Sequence, residues 1–380
     1  MVEGISLSGD MDSDGSRIMT YANLYLWRDL WKLPSQFTVH FTAEIDTILE
    51  ICIFVNKSLP LNQRPILCSC ETFRKRLLTS DFQGQITENF VHGIASVSAS
   101  PNYRHRGYAR RMMRELASVL RAWQILSTSH CVGTILYSDI GKSYYANLGW
   151  RPDPTNSHIE LPAKASKMQC TSKIFVDDLD ELCERDEARV RKRMAIATSE
   201  DIQKCMTIIP DLDHMLWQMS KVEFAANCLF DRIPHTKGAI IGKPGRQLWA
   251  LWTHRYYDHP QSEAPANILY KLRLVIESDM TTSRPPSDAG KIDIEQYSEQ
   301  LGNLRMVLKA AQAEAMEWKL GRVRLWDATP LVRKLIAESG IDYLGVEREE
   351  ERIASGRWYQ DGGEASEPPM WINNEPYAWI

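Results

Sequence analysis

The amino-acid sequence predicts a mixed α/β (α+β) fold, because strand-like and helix-like segments alternate around one basic, glycine-containing turn. In residues 94–100, small and branched apolar residues alternate with polar ones, as in a half-buried strand. Residues 108–123 carry an apolar stripe at helical spacing, which predicts an amphipathic helix. Residues 134–137 form an apolar strand, and a short helix with a Leu-Gly-Trp end follows it.

The turn between the first strand and the long helix, residues 104–109, has the sequence Arg-His-Arg-Gly-Tyr-Ala. A turn at this place presents main-chain N–H groups at the open N-terminus of the helix, where the dipole also favours an anion. Gly107 allows the backbone to approach a phosphate or to take a positive φ, and Ala109 allows close helix packing. Arg104 and Arg106 add charge-assisted donors. The turn therefore predicts a phosphate site; the alternative is a basic surface helix.

The pattern Arg/Gln-x-x-Gly-x-Gly/Ala after a strand is the pyrophosphate loop of the GNAT acetyltransferases, and residues 104–109 resemble it closely. Residues 134–150, with Tyr145, resemble the strand, tyrosine-bearing helix and Leu-Gly-Phe segment that follow in that family. The resemblance implies a GNAT fold with a mixed central sheet, acetyl-CoA as co-substrate and no metal. The residues that it assigns to the coenzyme are Val97, Ser98, Ala99, Arg104, His105, Arg106, Gly107, Tyr108, Ala109 and Asp139.

In that resemblance Tyr145 faces the coenzyme A sulfur, where its phenol can donate a proton to the departing thiolate. The alternative for Tyr145 is an aromatic side chain packed in the core. Asp139 follows the strand at 134–137, and it either hydrogen-bonds the coenzyme or caps the next helix, of which capping is favoured.

The attacking amine also needs a proton acceptor, because a free lysine ε-amine titrates near ~10.4. Glu71 is the first candidate, either as base or as a carboxylate that grips the cationic amine; the alternative is an exposed strand glutamate. His92 titrates in a convenient range, although a lone histidine on a strand is more often a core residue. The third candidate is the terminal carboxylate of Ile380.

A closer resemblance covers residues 65–350. The sequence is similar to fungal L-lysine acetyltransferases in strings that begin at Cys70, Gly93, Tyr103, Leu136, Lys237, Leu248 and Leu272. It implies acetyl transfer to the ε-amine of free L-lysine by direct attack, as a step of lysine catabolism with a small-molecule partner. One alternative is a protein (histone) lysine acetyltransferase, which needs an open channel for a peptide. The other is a non-catalytic acyl-CoA-binding sensor that kept the loop.

The length of 380 residues predicts two domains. We expect a GNAT catalytic domain at 1–160, a connecting helical segment at 161–205 and a C-terminal domain at 206–380. The order of elements after residue 206 resembles the first half without its phosphate loop, and Lys334 aligns with Tyr145. We therefore expect a degenerate GNAT-like α/β domain that shapes the substrate pocket; an unrelated α+β domain is the alternative.

Composition narrows the class of protein. A net charge of −4 argues against nucleic acid as the main partner. The eight cysteines are scattered, which is typical of reduced packing residues in a cytoplasmic protein. No apolar stretch is long enough to cross a membrane and the N-terminus has no signal-peptide pattern, so we expect no membrane partner.

Overall fold

The computed structural model describes most of the chain after residue 48, and every structural statement below concerns the described residues. These are 17–18, 40–41, 49–56, 58–60, 63–125, 129–166, 170–196, 204–262, 266–278, 294–360, 363–364 and 367–379. The aromatic residues of 21–31 predict a helix or a helical pair, and that segment and the terminal carboxylate of Ile380 lie outside them.

Strands and helices alternate along the chain. The strands are β1 (Arg17–Ile18), β2 (His40–Phe41), β3 (Leu49–Val55), β4 (Ile66–Asp81), β5 (Ile86–Ala99), β6 (Cys131–Ser138), β7 (Arg151–Pro152), β8 (Ser157–Pro162), β9 (Ser172–Ile174), β10 (Lys204–Ile208), β11 (Gly238–Ile241), β12 (Leu248–Arg255), β13 (Ile268–Ile276), β14 (Arg322–Trp326), β15 (Leu344–Glu347), β16 (Ile353–Gln360), β17 (Gly363–Glu364) and β18 (Met370–Trp371). The α-helices are α1 (Tyr108–Arg121), α2 (Ser143–Ala146), α3 (Leu179–Met194), α4 (Leu212–Phe230), α5 (Ile294–Glu317) and α6 (Pro330–Glu338).

Two mixed sheets organise these elements. The first has the order β17-β16-β6-β5-β4-β10-β18, with β3 paired to β4 and β7 to β16. Its β5–β6 and β10–β18 pairs are parallel, and β4–β5 and β16–β6 are antiparallel. The second has the order β15-β8-β14-β13-β12-β11-β9, in which β13–β14 is parallel. The predicted mixed α/β fold is confirmed.

The chain crosses between the sheets more than once. β8 and β9 precede the predicted boundary at residue 205, yet they belong to the second sheet. β10, β16 and β18 belong to the first sheet, although β16 and β18 lie near the C-terminus. The division at residues 160 and 205 stays a prediction, and the first sheet, which carries the phosphate turn, is built from both halves of the chain.

The first sheet packs α1 on one face and the second sheet on the other. Met112, Leu116 and Leu120 of α1 are buried in a cluster with Ile94 and Leu136. On the opposite face, side chains of both sheets share one cluster with α3 and α4, which includes Leu77, Val91, Ile135, Trp249, Leu251 and Leu272. Because successive strand residues point to opposite faces, these clusters identify which residues face the second sheet.

Residues 176–194 change from acidic to basic along the chain, which predicts a solvated connecting helix with internal ion pairs. The helix α3 and its i,i+4 pair between Glu187 and Arg191 are confirmed. The solvated interpretation is wrong, because one side of α3 is buried in the shared cluster. Asp186 is only 2% exposed and pairs with Arg273 of β13.

Candidate active site

The first sheet opens beside the turn 104–109, because β5 and β6 separate there. Their parallel pairing ends at Ile94 and Leu136, whereas β5 continues to Ala99. Over its last residues β5 stays paired to β4 alone, with Ser98 opposite Ser69 and Ala99 opposite Cys68. The edge of β5 that faces the opening therefore has main-chain groups without a strand partner, as a site for an extended ligand requires.

A bulge in β5 lies at the start of this opening. The register shifts between the pairs Glu71–Ala95 and Ser69–Ser98, so the bulge falls on Ser96 and Val97. Ser96 has a left-handed backbone with φ 53°. A bulge re-aims the neighbouring side chains and ends regular pairing, and here it turns the end of β5 away from β6.

The turn 104–109 has the geometry of an anion site. Gly107 is the N-cap of α1 with φ 79°, and a Cβ added there would meet no atom within 4 Å. The first turn of α1 has no side-chain cap and no acidic residue, and the first N–H groups of any helix lack intrahelical acceptors. Arg104 donates from Nε to the Ala99 carbonyl at 3.2 Å, which ties the turn to the end of β5. Residues 104–107 are exposed.

The predicted coenzyme residues come together in this opening. Val97, Ser98 and Ala99 end the unpaired edge of β5, and residues 104–109 begin α1 directly after it. Tyr108 packs with its ring 6.4 Å from that of Phe54, on the face of the sheet that carries α1. The coenzyme-binding role of these residues stays a prediction.

Tyr145 lies on that same face, where the two strands part. It is 8% exposed and packs in the cluster that contains Ile94 and Leu136, the last paired residues of β5 and β6. Burial raises the pKa of the Tyr145 phenol well above that of a free tyrosine, and the nearby Tyr144, Cys70 and Asp139 raise it further. The phenol is thus held in its protonated form.

Glu71 points to the opposite face from Tyr145. The cross-strand pairs Phe73–Gly93 and Gly93–Ile135, with strand alternation, place Glu71 on the face that carries Ile135 and meets the second sheet. Glu71 is 3% exposed, and Ser96 Oγ donates to its Oε2 at 2.9 Å. It is therefore a buried carboxylate at the opening, and the alternative of an exposed strand glutamate is wrong.

His92 is not brought to Glu71. It pairs with Arg74, three positions after Glu71, and so points to the α1 face. Its Nε2 lies 3.4 Å from the Trp123 carbonyl oxygen, and burial lowers the pKa of His92 to about 4. This is the environment of a core histidine, on the side of the sheet away from the carboxylate.

Asp139 does not cap α2, as had been favoured. Lys142 is the N-cap of α2, without a side-chain cap, and Ser138 Oγ bonds the turn instead. The Asp139 side chain accepts a hydrogen bond from the Arg352 N–H at 3.0 Å. Asp139 thus joins the end of β6 to the segment that enters β16, because these strands are neighbours in the sheet.

A buried aromatic cluster lies between the sheets on the Glu71 face. Its rings pack against one another at tilted or edge-on angles, with centroids 5.9 Å apart for Tyr137–Trp326, 5.9 Å for Tyr270–Trp326, 5.7 Å for Tyr270–Trp379 and 5.6 Å for Trp326–Trp379. Two arginines meet it: the Arg348 guanidinium is 4.1 Å from the Trp326 ring centroid, and the Arg352 guanidinium is 5.0 Å from that of Tyr257.

Sequence reasoning missed these residues. Arg348 and Arg352 stand in the run Glu-Arg-Glu-Glu-Glu-Arg, which is typical of a solvated surface, and they acquire aromatic neighbours only in the fold. Lys334, which aligns with Tyr145, lies exposed against the ring of Tyr297.

Neither a metal centre nor a membrane segment is found in the part of the chain that the structure describes. There, no three side chains of the His, Cys, Asp and Glu types are grouped so that they could hold a metal ion. None of the described helices has the length and apolar character needed to cross a bilayer.

The lysine acetyltransferase of Yarrowia lipolytica (strain CLIB 122 / E 150) is 22% identical over 231 residues, which cover 50% of this chain and 57% of that protein. The chain therefore spans little more than half the length of this curated relative.

Three solved structures overlay on the chain. A probable N-acyltransferase of Enterococcus faecalis V583 has a TM-score of 0.42 at 10% identity and covers 82% of this chain and 62% of its own. Eis1 of Mycobacterium abscessus has a TM-score of 0.42 at 11% identity, with coverages of 90% and 73%. Saccharomyces cerevisiae N-myristoyltransferase with bound myristoyl-CoA has a TM-score of 0.43 at 9% identity, with coverages of 76% and 65%.

The family comparison concerns the second half of the chain. The family model described as the LYC1 GNAT-like C-terminal domain matches residues 158–380, which confirms the predicted GNAT-like character of the C-terminal region. Because this match covers more than half of the chain, the protein belongs to the family defined by the LYC1 GNAT-like C-terminal domain.

Proposed function

We propose that the protein is an N-acetyltransferase that moves an acetyl group from acetyl-CoA to the ε-amine of free L-lysine. The observation that carries the proposal is the opening between β5 and β6, which has the turn 104–109 at its end, Tyr145 on one face and Glu71 on the other. The match to a GNAT-like family supports acetyl transfer, and the lysine acetyltransferase of Yarrowia lipolytica supports lysine as the residue or amino acid that is acetylated.

The residues present fit acetyl-CoA. The left-handed Gly107 leaves open space where a Cβ would stand, so a phosphate can approach the backbone. The uncapped first turn of α1 supplies N–H donors, and the unpaired edge of β5 at residues 97–99 supplies main-chain groups for the pantetheine arm. Acetyl-CoA brings the activated acyl group as a thioester.

In the proposed mechanism, Glu71 acts as the general base and Tyr145 as the general acid. Glu71 accepts a proton from the lysine ammonium, which frees the nitrogen lone pair to form the C–N bond at the acyl carbon. The C–S bond breaks, and the buried, protonated Tyr145 donates its phenolic proton to the sulfur. The new amide nitrogen gives up its second proton to the resulting phenolate, which restores Tyr145, and Glu71 releases its proton to solvent. Their placement on opposite faces matches these roles, because the acceptor and the coenzyme enter the opening from different sides.

The acceptor is tested by comparing free L-lysine, Nα-acetyl-lysine amide and histone-tail peptides in a coenzyme A release assay, with the product identified by mass spectrometry. We expect turnover with free lysine and ε-acetylation of it. Turnover confined to the peptides contradicts the free-lysine acceptor and supports a protein acetyltransferase. Tight acetyl-CoA binding without turnover of any amine supports the sensor alternative.

A further inference from the structure

Two guanidinium groups at the aromatic cluster between the sheets have buried N–H donors without a hydrogen-bond acceptor. Arg348 is 5% exposed, and its Nε and Nη1 atoms are buried without a hydrogen bond; its Nη2 makes one long contact of 3.4 Å with Asn156 Oδ1. Arg352 pairs through Nη1 with Glu351 at 2.7 Å, but its Nε is likewise buried and unbonded. Burying a charged donor without an acceptor costs free energy, so such donors indicate a place for a ligand anion.

Nearby carboxylates are engaged elsewhere. Asp153 accepts two hydrogen bonds from Thr155, at 2.8 and 2.6 Å. Asp327 accepts from the Asn374 N–H at 3.2 Å, and burial raises the pKa of Asp327 to about 6. Among the described residues neither carboxylate lies within ion-pair distance of Arg348, although both contribute to the local field.

The two arginines lie near the end of β6 that also carries Asp139. Asp139 binds the Arg352 N–H and also influences the Tyr145 phenol, so the three residues lie at one end of β6. Arg352 directly precedes β16, and its guanidinium lies over the rings of Tyr257, Tyr270 and Trp379, so its side chain is on the side of the first sheet that meets the second sheet, as that of Glu71 is. A ligand held by the arginines has its other end directed along this face toward the opening.

Aromatic rings surround the arginines. The guanidinium of Arg352 lies over the rings of Tyr257, Tyr270 and Trp379, at 5.0, 5.7 and 5.4 Å from their centroids. Aromatic side chains provide apolar area beside the charged donors. The aromatic cluster and the two arginines thus bring apolar area and cationic donors together, which is complementary to an amino acid with a long aliphatic side chain.

We propose that Arg348 and Arg352 form the subsite that binds the α-carboxylate of the amino-acid acceptor. The inference rests on the proposed function, which it extends by naming the residues that distinguish a free amino acid from a peptide or a simple amine. The unbonded donors of both arginines bind the carboxylate oxygens as charge-assisted hydrogen bonds.

The test compares L-lysine with lysine amide and cadaverine, both of which keep the reacting amine but lack the carboxylate. Turnover is measured by coenzyme A release, and acceptor binding by calorimetry in the presence of coenzyme A. For the wild type we expect kcat/KM for lysine to exceed that for the other two roughly 100-fold, as loss of one partner of a buried charge pair predicts. Equal use and equal binding of the three acceptors overturn the subsite.

Variants distinguish a loss of carboxylate binding from a general loss of folding. Arg348→Gln and Arg352→Gln should each lower kcat/KM for lysine roughly 100-fold and leave that for cadaverine within about threefold. Arg232→Gln is the control, because Arg232 also lies over a ring, 4.1 Å from the centroid of Trp318, but both residues stand just after helices, Arg232 after α4 and Trp318 after α5. Equal losses for lysine and cadaverine in both variants overturn the subsite.

Measuring lysine binding as well as turnover distinguishes the proposed carboxylate subsite from the proposed transferase function. If the wild type acetylates no amine but binds lysine in preference to lysine amide, and the two variants lose that preference, the subsite stands and the transferase function fails. If the wild type acetylates lysine and cadaverine equally well, the transferase function stands and the subsite fails.

Discussion

Ser96 donates a hydrogen bond to Glu71 across β4 and β5, at the bulge where β5 leaves β6. Ser96 holds a left-handed backbone there, so the strained residue and the buried carboxylate form one unit at the opening of the sheet. The bond helps to orient this buried carboxylate. In the proposed mechanism, an oriented carboxylate is what general base catalysis requires.

Glu71→Gln should lower kcat about 100-fold or more, because the amide cannot accept the proton of the amine. Ser96→Ala should lower kcat by a smaller factor, about tenfold, because the carboxylate remains but loses its orientation. Steady-state kinetics with saturating acetyl-CoA measure both. Glu88→Gln is the matched control, since Glu88 is an exposed strand glutamate of the same hairpin that pairs with Arg76. A similar loss in Glu88→Gln contradicts the role of Glu71.

Tyr145→Phe should lower kcat roughly 100-fold and change the Kd for acetyl-CoA little, because the ring remains and only the acid is removed. The pKa of Tyr145 is raised, so the phenol stays protonated past the pH at which a free tyrosine ionises. Ionisation of Tyr145 should therefore not slow the wild type near pH 10. The pH profiles of the wild type and Tyr145→Phe should have the same shape up to that pH. Stopped assays across pH 6 to about 10.5 test this; a tyrosine-dependent decline at or below pH 10 contradicts a buried acid.

Gly107→Ala should weaken acetyl-CoA binding at least about tenfold, because the added methyl group occupies the space through which a phosphate reaches the backbone. The left-handed backbone also makes alanine unfavourable by about 1 kcal/mol. Gly245→Ala is the control for that strain: φ is 82° there, and its added Cβ likewise meets nothing within 4 Å. We expect similar losses of stability in both variants and weaker binding in Gly107→Ala alone, as measured by calorimetry. Equal binding in the two variants contradicts the phosphate loop.

Lys75 makes stability depend on pH. Burial lowers the pKa of Lys75 to about 7, and the nearby Asp211 opposes this only partly. Between about pH 7 and 10.5 the unfolded chain binds this proton and the folded chain does not, so the free energy of unfolding rises with pH in that window. Lys75→Met should stabilise the protein by roughly 2–4 kcal/mol at pH 7, with a gain that shrinks toward pH 10. Urea unfolding at both pH values tests this; a gain independent of pH contradicts the buried neutral lysine.

Asp186 holds Arg273 in the shared core through two contacts, from Nε at 2.6 Å and from Nη2 at 3.1 Å. Asp186→Ala should reduce the free energy of unfolding by about 3–5 kcal/mol, because it leaves a buried guanidinium with only Glu375 as a counter-charge. Glu187→Ala is the matched control on the same helix, where the ion pairs lie near the surface and contribute about 1 kcal/mol or less. Chemical unfolding of both variants measures the difference; similar losses contradict the buried network.

Local chemistry made one half of the site predictable. Within residues 94–123, a strand pattern, a turn with a glycine and a helix pattern follow one another directly in sequence. The structure has β5, the left-handed Gly107 and α1 in those places. The same holds for the long helix of the second half, expected near 293–318 and observed at Ile294–Glu317. Such elements depend on side-chain spacing and turn residues, which the sequence displays directly.

Only the tertiary structure decided which charged side chains lie on the Glu71 face. The sequence left open whether Glu71 is exposed, and Arg348 and Arg352 stand in a run that is typical of a solvated surface; long-range pairing placed all three beside the second sheet. The strands β10, β16 and β18 complete a sheet begun more than a hundred residues earlier, and no local periodicity encodes that return. Burial depends on which distant segment covers a face, so the sequence by itself determined the turn 104–109 and the helix after it, and only the packing of the two sheets determined which charges are enclosed.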